Sequence, residues 1–275
     1  MTSVSRPGRL VLLGHPVAHS LSPVFQGAAL AAAGITMAYE ALDVPTEAWS
    51  TTIAALREAG AAGNVTVPHK ESMYRACGHH TDAARRAGAV NTFWTEDGTF
   101  IGDNTDVAGF QAAAESLLGD ALRGAHVALF GAGGAAAAVC AAVEAAGGRV
   151  TLHARSAERA AGLAARFPAT VRLAPTPVAA VGEADLAVNA TPLGLGAEDP
   201  LPVALHAVPP HVALLDLVYR RSGTTSWIAA ALAEGRRAAD GRDMLLEQGA
   251  AAFVRWFGIP PNREVMRAAL REHGA

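Results

Sequence analysis

An apolar strand that runs directly into glycines and then into a helix restricts the fold of this chain more than any other feature. Residues His126–Phe130 have the pattern of a strand, and GAGGAA follows at 131–136 as a GxGxxA turn before an alanine-rich helix. Glycines there let the backbone approach a pyrophosphate, and free N–H groups at the helix N-terminus attract its charge. The motif alone also suits a plain turn. In this context it predicts a dinucleotide site at Gly131, Ala132, Gly133, Gly134 and Ala135.

The residues after the next predicted strand indicate which dinucleotide binds. A strand at 149–153 leads into Arg155, Ser156 and Arg159. An NAD site usually carries Asp or Glu about 20 residues beyond the glycines, where the carboxylate holds the ribose hydroxyls. Two guanidinium groups and a hydroxyl instead suit a 2′-phosphate, so the pattern favours NADP. The alternative is that both arginines are ordinary solvated helix residues.

Short apolar strands alternate with helical segments along the whole chain. The first half predicts strands at 10–13, 38–44 and 64–67, helices at 21–33, 46–59, 70–87 and from about 104, and a hairpin at 91–101. The second half adds strands at 186–189 and 213–217, helices from about 156 and 224, and terminal helices at 243–257 and 262–272. At 275 residues the chain exceeds the roughly 150 of an average domain. The alternation predicts an α/β fold with largely parallel sheets.

Composition and charge narrow the class of partner. The formal net charge is -3 and no block of Lys and Arg reaches five residues, which excludes the basic surface of a nucleic-acid-binding protein. The two cysteines, Cys77 and Cys140, lack metal-ligand spacing, so we expect neither a metal site nor a disulfide framework. No apolar run approaches the roughly 20 residues of a membrane span, and the N-terminus lacks the pattern of a signal peptide. We expect a cytoplasmic protein whose partner is a small molecule, not nucleic acid or a membrane.

Three polar clusters in the first half lie next to predicted strand ends or helix starts. They are HSLSP at 19–23, NVTVPHK at 64–70 and GDNTD at 102–106. The first suits a simple helix start, and a lone lysine after a strand is usually a surface charge. The last cluster, however, carries more side-chain oxygens than one helix cap requires. This excess favours recognition of a hydroxyl-rich substrate at the carboxyl ends of the strands.

Together these motifs resemble the shikimate dehydrogenase family over essentially the whole chain. The resemblance rests on segments in the family order: GHPVAHSLSP at 14–23, NVTVPHK at 64–70, GAVNT at 88–92, GDNTD at 102–106, GAGGA at 131–135, NAT at 189–191, DLVY at 216–219 and the segment 240–248. The resemblance implies an N-terminal α/β substrate domain (1–106 with 243–275) and a C-terminal NADP-binding Rossmann domain (107–242), with a cleft between them. The implied reaction is the reversible, NADPH-dependent reduction of 3-dehydroshikimate to shikimate, on the way to chorismate and the aromatic amino acids. A homodimer is compatible with the resemblance.

The resemblance also implies a set of site residues, carried over by position. The catalytic pair would be Lys70 and Asp106. The substrate contacts would be Ser20, Ser22, Thr66, Asn91, Asp106, Tyr219 and Gln248. Besides the glycine turn, the cofactor contacts would be Asp82, Ala132, Arg155, Ser156, Arg159, Thr191, Leu217, Gly241 and Met244. We expect Lys70 to stabilise the developing alkoxide and deliver its proton, and Asp106 to orient both the lysine and a substrate hydroxyl.

Three positions depart from the family pattern and leave alternatives open. Ala154 stands where relatives usually have Asn, which removes a hydrogen bond on the adenosine side. Val107 stands where many have Gly, a choice that fits quinate or aminoshikimate as the substrate. Asp243 replaces a frequent Gly at a variable position. A non-catalytic NADP-binding protein is a further alternative, because a Rossmann turn shows binding only; the presence of Lys70 and Asp106 argues against it.

Overall fold

The chain divides into two compact units. The computed structural model describes residues 6–196, 198–221 and 223–274. One unit is formed by Met1–Gly109 with Leu245–Ala275 and the other by Phe110–Met244. Both divisions fall inside helices that continue from one unit into the next. The substrate role of the first unit and the cofactor role of the second stay predictions.

Twelve strands and eleven α-helices are present in the described residues. The strands are β1 (Leu10–Gly14), β2 (Tyr39–Asp43), β3 (Ala62–Val65), β4 (His79–His80), β5 (Thr92–Glu96), β6 (Thr99–Asp103), β7 (His126–Phe130), β8 (Arg149–His153), β9 (Val171–Leu173), β10 (Leu186–Asn189), β11 (Ala213–Asp216) and β12 (Ala238–Ala239). The helices are α1 (Ser22–Ala32), α2 (Trp49–Glu58), α3 (Lys70–Ala76), α4 (Asp82–Ala87), α5 (Asp106–Leu118), α6 (Gly134–Ala145), α7 (Ala157–Arg166), α8 (Pro177–Val181), α9 (Ser226–Ala233), α10 (Arg242–Phe257) and α11 (Arg263–Gly274).

The first unit contains a six-stranded mixed sheet in the order β2-β1-β3-β5-β6-β4. The first three strands in that order pair in parallel, whereas β5 is antiparallel to both of its neighbours. The predicted hairpin explains the change: Asp97 and Gly98 both have positive φ, the backbone of a tight turn between antiparallel strands. The hairpin places Asp103, at the end of β6, opposite Thr92 of β5, and Thr92 in turn pairs with Asn64 of β3.

The strand predicted at 64–67 begins and ends two residues earlier than expected. Its first two residues are Ala62 and Gly63, which have low strand propensity and gave no signal in the sequence. It ends before Pro68, which has no N–H to donate to a ladder. Four short elements, β4, β9, α8 and β12, were not predicted, because two to five residues are too few to show a period.

Apolar side chains from the first sheet and its helices form one buried cluster. Val11 and Leu13 of β1 pack there with Phe93 of β5 and Phe100 of β6. The two phenylalanine rings meet edge to face with centroids 5.1 Å apart, a favoured aromatic geometry. Fully burying each such side chain stabilises the unit by about 1.5–3 kcal/mol. This cluster fixes the strand ends from which the polar site residues project.

The second unit contains a six-stranded sheet in which every recorded pair is parallel. Its order is β12-β11-β10-β7-β8-β9, the doubly wound order of dinucleotide-binding folds. The chain reverses direction across the sheet between β7 and β10, which are neighbours. Ligands of such sheets bind outside the carboxyl ends of the strands at this reversal. Gly131 and Ala190 are the residues that follow β7 and β10 at that edge.

Both cysteines are buried. Burial in the first unit's apolar cluster raises the pKa of the Cys77 thiol to about 12, so the thiol stays protonated at neutral pH. Across the described ranges, no group of three or more His, Cys, Asp or Glu side chains is arranged to hold a metal ion. In those same ranges, no helix combines the length and apolar character needed to cross a membrane.

Candidate active site

A buried ion pair lies at the centre of the first unit's polar cluster. Lys70 Nζ is 2.5 Å from Asp106 Oδ2, and only 16% and 8% of the two side chains are exposed. Lys70 is the first residue of α3 and Asp106 the first of α5. A helix N-terminus stabilises a carboxylate and destabilises an ammonium group. The charge of Asp106 therefore offsets the unfavourable position of the Lys70 ammonium at the start of α3. The pair places an ammonium N–H donor and a fixed carboxylate together where both side chains are largely buried.

The side-chain amide of Asn91 holds Asp106 in place. Asn91 Nδ2 donates to Asp106 Oδ1 at 2.8 Å, to Thr105 Oγ1 at 3.0 Å and to Gln248 Oε1 at 3.3 Å. Asn91 Oδ1 accepts from the backbone N–H of Thr105 at 2.7 Å. Because the amide both donates and accepts, its orientation is fixed. Four of the predicted site residues, Lys70, Asp106, Asn91 and Gln248, are therefore joined in one network.

A second carboxylate residue, Asp103, is connected to this network through the backbone of Asn91. Asp103 is 3% exposed and accepts from the Thr81 hydroxyl, from the Asn104 backbone N–H at 2.7 Å and from Arg255 Nε at 2.7 Å. Its backbone carbonyl accepts from the N–H of Asn91 at 3.1 Å. A buried carboxylate with three donors is satisfied. Asp103 therefore fixes the end of β6, three residues before Asp106.

Asn64 of β3 also hydrogen-bonds to the backbone of Asn91. Its Oδ1 accepts from the Tyr39 hydroxyl at 2.8 Å, and its Nδ2 donates to the Asn91 carbonyl at 3.1 Å. All three residues are buried. The polar residue in the middle of a short apolar strand is thus explained by a chain of hydrogen bonds that ends at Asn91.

Ser20, Ser22 and Thr66 lie near the carboxyl end of β1 and the start of α1. The Ser20 hydroxyl accepts from the Ser22 N–H at 3.2 Å; Ser22 is buried, and Ser20 and Thr66 are half-buried. A Cβ on Gly14 would lie 2.4 Å from Thr66 Cγ2, so only glycine fits beside that side chain. Among the described residues, no hydrogen bond joins these three to Lys70 or Asp106. The structure thus leaves their link to the ion pair as a prediction.

The glycine turn of the second unit has the shape that a pyrophosphate requires. Gly131 has φ +107°, and a Cβ there would lie 2.7 Å from the carbonyl oxygen of Ala190. No L side chain fits that position. Gly133 is exposed, no atom lies within 4 Å of a Cβ placed on it, and α6 begins at Gly134. The first N–H groups of α6 are the donors that would meet a phosphate.

The basic pair after β8 is exposed at the start of α7. The Ser156 hydroxyl accepts from the Arg159 N–H at 3.3 Å and so caps this helix. Arg155 and Arg159 are both exposed. Over the ranges that the structure describes, neither guanidinium group forms an ion pair or a hydrogen bond. Two uncommitted guanidinium groups at this strand end fit the 2′-phosphate of NADP.

A buried polar pair lies at the carboxyl ends of β10 and β11. Asn189 and Asp216 are register neighbours and both are fully buried, with Asn189 Nδ2 donating to Asp216 Oδ1 at 2.9 Å. Asp216 also accepts from the Val218 N–H at 3.0 Å and from the Thr225 hydroxyl at 2.8 Å. Burial raises the pKa of the Asp216 carboxyl to about 6; these hydrogen bonds oppose the shift and the charge of Asp240 adds to it.

Comparison with known proteins identifies the family. Residues 12–93 match the shikimate dehydrogenase substrate binding domain, and residues 241–271 match the shikimate 5′-dehydrogenase C-terminal domain. Shikimate dehydrogenase (NADP(+)) from Rubrobacter xylanophilus is 42% identical over 271 residues, which cover 96% of this chain and 95% of that protein. The chain belongs to the shikimate dehydrogenase family.

Solved structures agree with this assignment along the full length. Shikimate dehydrogenase from Aquifex aeolicus aligns with a TM-score of 0.90 and 32% identity, covering 98% of this chain and 100% of that one. Shikimate 5-dehydrogenase from Thermus thermophilus, in complex with NADP(H) and shikimate, aligns with a TM-score of 0.85 and 39% identity over 96% and 99%. The predicted family and α/β fold are confirmed, and the chain is an NADP-dependent oxidoreductase that acts on a CH–OH group.

The structure also gives the positions of the remaining predicted site residues. Tyr219 and Leu217 are half-buried just beyond β11, Thr191 is half-buried beyond β10, Gly241 and Met244 are buried at the start of α10, and Ala132 and Ala135 are half-buried in the glycine turn. Asp82 lies on the exposed first turn of α4 in the first unit, where it pairs with Arg85. Their roles in binding stay predictions.

Sequence reasoning passed over several residues that the structure makes central. Thr105, Asn64, Asn189 and Asp216 were recognised as parts of motifs but received no role. Each lies within or just beyond the end of a strand, and each is buried with hydrogen-bond partners. For Asn189 and Asp216 the available signal was a polar residue that ends an apolar run, because burying such a residue costs free energy unless it is paired.

The raised pKa of Asp216 makes a prediction about stability and pH. Below the ordinary value of 3.8 the carboxyl is protonated in both folded and unfolded chains, whereas between 3.8 and about 6 only the folded chain retains the proton. Stability from this group is therefore complete below about pH 4 and is lost as pH rises through about 6, by about 3 kcal/mol in all. Asp216→Asn removes the titration, so its unfolding temperature should rise relative to wild type between pH 4 and pH 7. A difference between the two proteins that stays constant with pH would contradict this prediction.

Proposed function

We propose that this chain reduces 3-dehydroshikimate reversibly to shikimate with NADPH, and that Lys70 and Asp106 act at the reacting oxygen. The observation that carries the assignment is the buried Lys70–Asp106 pair, oriented by Asn91. Family membership supports the substrate and the cofactor. The product belongs to the route to chorismate and the aromatic amino acids.

The identity of the cation supports a proton-donating role. Lys70 is the only lysine in the chain, and the other 21 of its 22 lysine and arginine residues are all arginine. Arginine holds a carboxylate more firmly, but its guanidinium group does not release a proton in proteins. A single lysine kept at a buried ion pair is therefore explained by proton transfer, because an ion pair alone would be served by arginine.

The proposed residues of the first unit have separate roles in proton transfer, in orientation of the lysine and in substrate binding. As negative charge develops on the carbonyl oxygen, the Lys70 ammonium stabilises it and delivers a proton. Asp106 holds the ammonium on one oxygen, while its other oxygen is held by Asn91. The carboxylate and hydroxyl groups of the ring would be bound by Ser20, Ser22, Thr66, Asn91 and Gln248, and by Tyr219 of the second unit. In the reverse direction Lys70 takes the hydroxyl proton back.

The residues of the second unit would hold the dinucleotide. NADPH, when bound, supplies the hydride that the reduction consumes. The N–H groups at the start of α6, with Gly131–Gly134, would bind the pyrophosphate, and Arg155, Ser156 and Arg159 the 2′-phosphate. By resemblance, other contacts to NADP would be made by Thr191, Leu217, Gly241 and Met244. Asp82, which lies in the first unit, is the least supported of the predicted contacts, because its carboxylate is exposed and already pairs with Arg85.

Substrate preference is the finer part of the proposal. Val107 follows Asp106 directly on α5 and is half-buried. The resemblance associates a valine in place of the usual glycine with branches that use quinate or aminoshikimate, which is the reason to retain these acids as alternative substrates. A homodimer and a cytoplasmic location also stay predictions; sedimentation and fractionation would test them.

Four reactions test substrate and cofactor together. Purified protein is mixed with shikimate or quinate and with NADP or NAD, and the nicotinamide absorbance is followed. We expect rapid reduction with shikimate and NADP, because the basic pair at 155 and 159 favours the 2′-phosphate. A quinate preference would transfer the assignment to the alternative substrate and make Val107 the next residue to change, whereas no reaction in any pairing would contradict the proposed activity.

Two substitutions of Lys70 test its role as proton donor. Lys70→Ala should lower kcat by about 100-fold or more, the scale of a lost general acid. Lys70→Arg keeps the positive charge beside Asp106 but not the transferable proton, so kcat should fall to a similar extent. NADPH affinity, measured by fluorescence, serves as the control and should not change in either variant. Near-normal turnover in Lys70→Arg would show that charge alone is sufficient.

Arg155 offers a test of cofactor choice. Arg155→Ser should raise KM for NADP by about tenfold, the effect of losing a charge-assisted contact, and leave KM for NAD nearly unchanged. Arg149→Ser is the matched control, because Arg149 is an exposed arginine at the opposite end of β8. Equal effects of the two variants on KM for NADP would refute the assignment.

A further inference from the structure

The carboxyl edge of the second sheet is tied together by one buried pair. Asn189 Oδ1 accepts from Thr191 through both the backbone N–H, at 3.0 Å, and the hydroxyl, at 2.6 Å. Asn189 Nδ2 donates to the Leu193 carbonyl and to Asp216, and the Asn189 carbonyl accepts from the Leu217 N–H, all at 2.9 Å. One side chain and its backbone thus fix the loop after β10 and the residue after β11.

This loop is packed tightly against the glycine turn. The place that a Cβ on Gly131 would occupy is 2.7 Å from the Ala190 carbonyl oxygen and 3.1 Å from Thr191 Cγ2. Gly194 at the far end of the loop has φ +101°, and a Cβ there would be 3.3 Å from Thr225 and 3.5 Å from Asp216 Oδ2. A small displacement of the loop would therefore change the space available at the glycine turn.

The same pair reaches the start of α10. Val218, whose N–H donates to Asp216, accepts through its carbonyl from the Gly241 N–H at 3.1 Å. A Cβ on Gly241 would lie 2.4 Å from the Leu217 carbonyl oxygen. Hydrogen bonds thus connect three of the proposed cofactor residues, Thr191, Leu217 and Gly241, to Asn189 or Asp216, directly or through Val218. A fourth, Gly131, lies against the same loop.

We infer that Asn189 and Asp216 are positioning residues that set the affinity of the second unit for NADPH without touching it. The inference rests on the proposed function, because it concerns the same cofactor. Both side chains are fully buried. Besides each other, they bond to Thr191 and Leu193 of the loop after β10, to Val218 after β11 and to Thr225. The proposed role depends on the hydrogen-bond geometry of the Asp216 side chain. One carboxylate oxygen accepts from Asn189 and Val218, and the other accepts from the Thr225 hydroxyl.

The test is NADPH affinity, measured by nicotinamide fluorescence, together with KM for NADP and for shikimate. Asn189→Ala and Asp216→Ala should each weaken NADPH binding by about tenfold or more, the effect of misplacing a binding loop. Asp216→Asn keeps an acceptor for Val218 and Asn189 and a partner for Thr225, so its affinity should stay within about threefold of wild type. KM for shikimate should change less than KM for NADP, because six of the seven proposed substrate contacts lie in the other unit and only Tyr219 lies in this one.

Asp185→Ala is the control for a purely structural effect. Asp185 precedes β10 at the opposite edge of the sheet, where its carboxylate accepts from the His126 N–H at 2.8 Å. This variant should lose stability and keep wild-type NADPH affinity. If Asp216→Ala does not fold, Thr225→Val removes a single hydrogen bond and should still weaken binding measurably.

Wild-type NADPH affinity in folded Asn189→Ala and Asp216→Ala would overturn the inference. If Asp216→Ala does not fold, wild-type NADPH affinity in Thr225→Val would overturn it. An equal loss of NADPH affinity in Asp216→Asn and Asp216→Ala would also overturn it. Failure of the wild-type protein to bind NADPH is a separate result, because it would remove the proposed function itself.

Discussion

The primary amide of Asn91 is the group on which the rest of the first unit's site depends. It holds one oxygen of Asp106 while Lys70 holds the other, and it also contacts Gln248 on a helix that is distant in the sequence. Its backbone is in turn fixed by Asn64 and Asp103. An amide is suited to this position because it donates and accepts without adding charge. A carboxylate there would repel Asp106, and an alkyl group would leave several buried polar atoms unpaired.

The second unit solves a similar problem with the same residue type. Asn189 and Asp216 end neighbouring strands, as parallel register requires, and an amide again orients a buried carboxylate. Here the donors recorded to the carboxylate are all neutral, and burial raises the pKa of the Asp216 carboxyl to about 6. Asp106 is paired with a lysine, and this pair is suited to proton transfer. The recorded donors to Asp216 are neutral, and this carboxylate is suited to holding the backbone in place.

Sequence alone predicted much of this architecture and part of the site. The strand, glycines and helix at 126–145 were found because their order is local, and the hairpin at Asp97 and Gly98 because its turn residues are specific. Lys70 and Asp106 were found through family motifs. The network around them was not, because Asn64, Asn91 and Asp103 meet only after β3, β5 and β6 have paired. Short elements such as β9 and β12 form where neighbouring strands supply partners, and their own residues carry no period.

The solitary lysine has a practical consequence. Because the chain holds no second lysine, incorporation of isotope-labelled lysine marks one residue in the whole chain, at the centre of the proposed chemistry. With nitrogen-15 at Nζ, the side chain of Lys70 should give one nuclear magnetic resonance signal, which needs no further assignment. The protonation state of the group could then be followed directly through titration and ligand binding, without inference from rates.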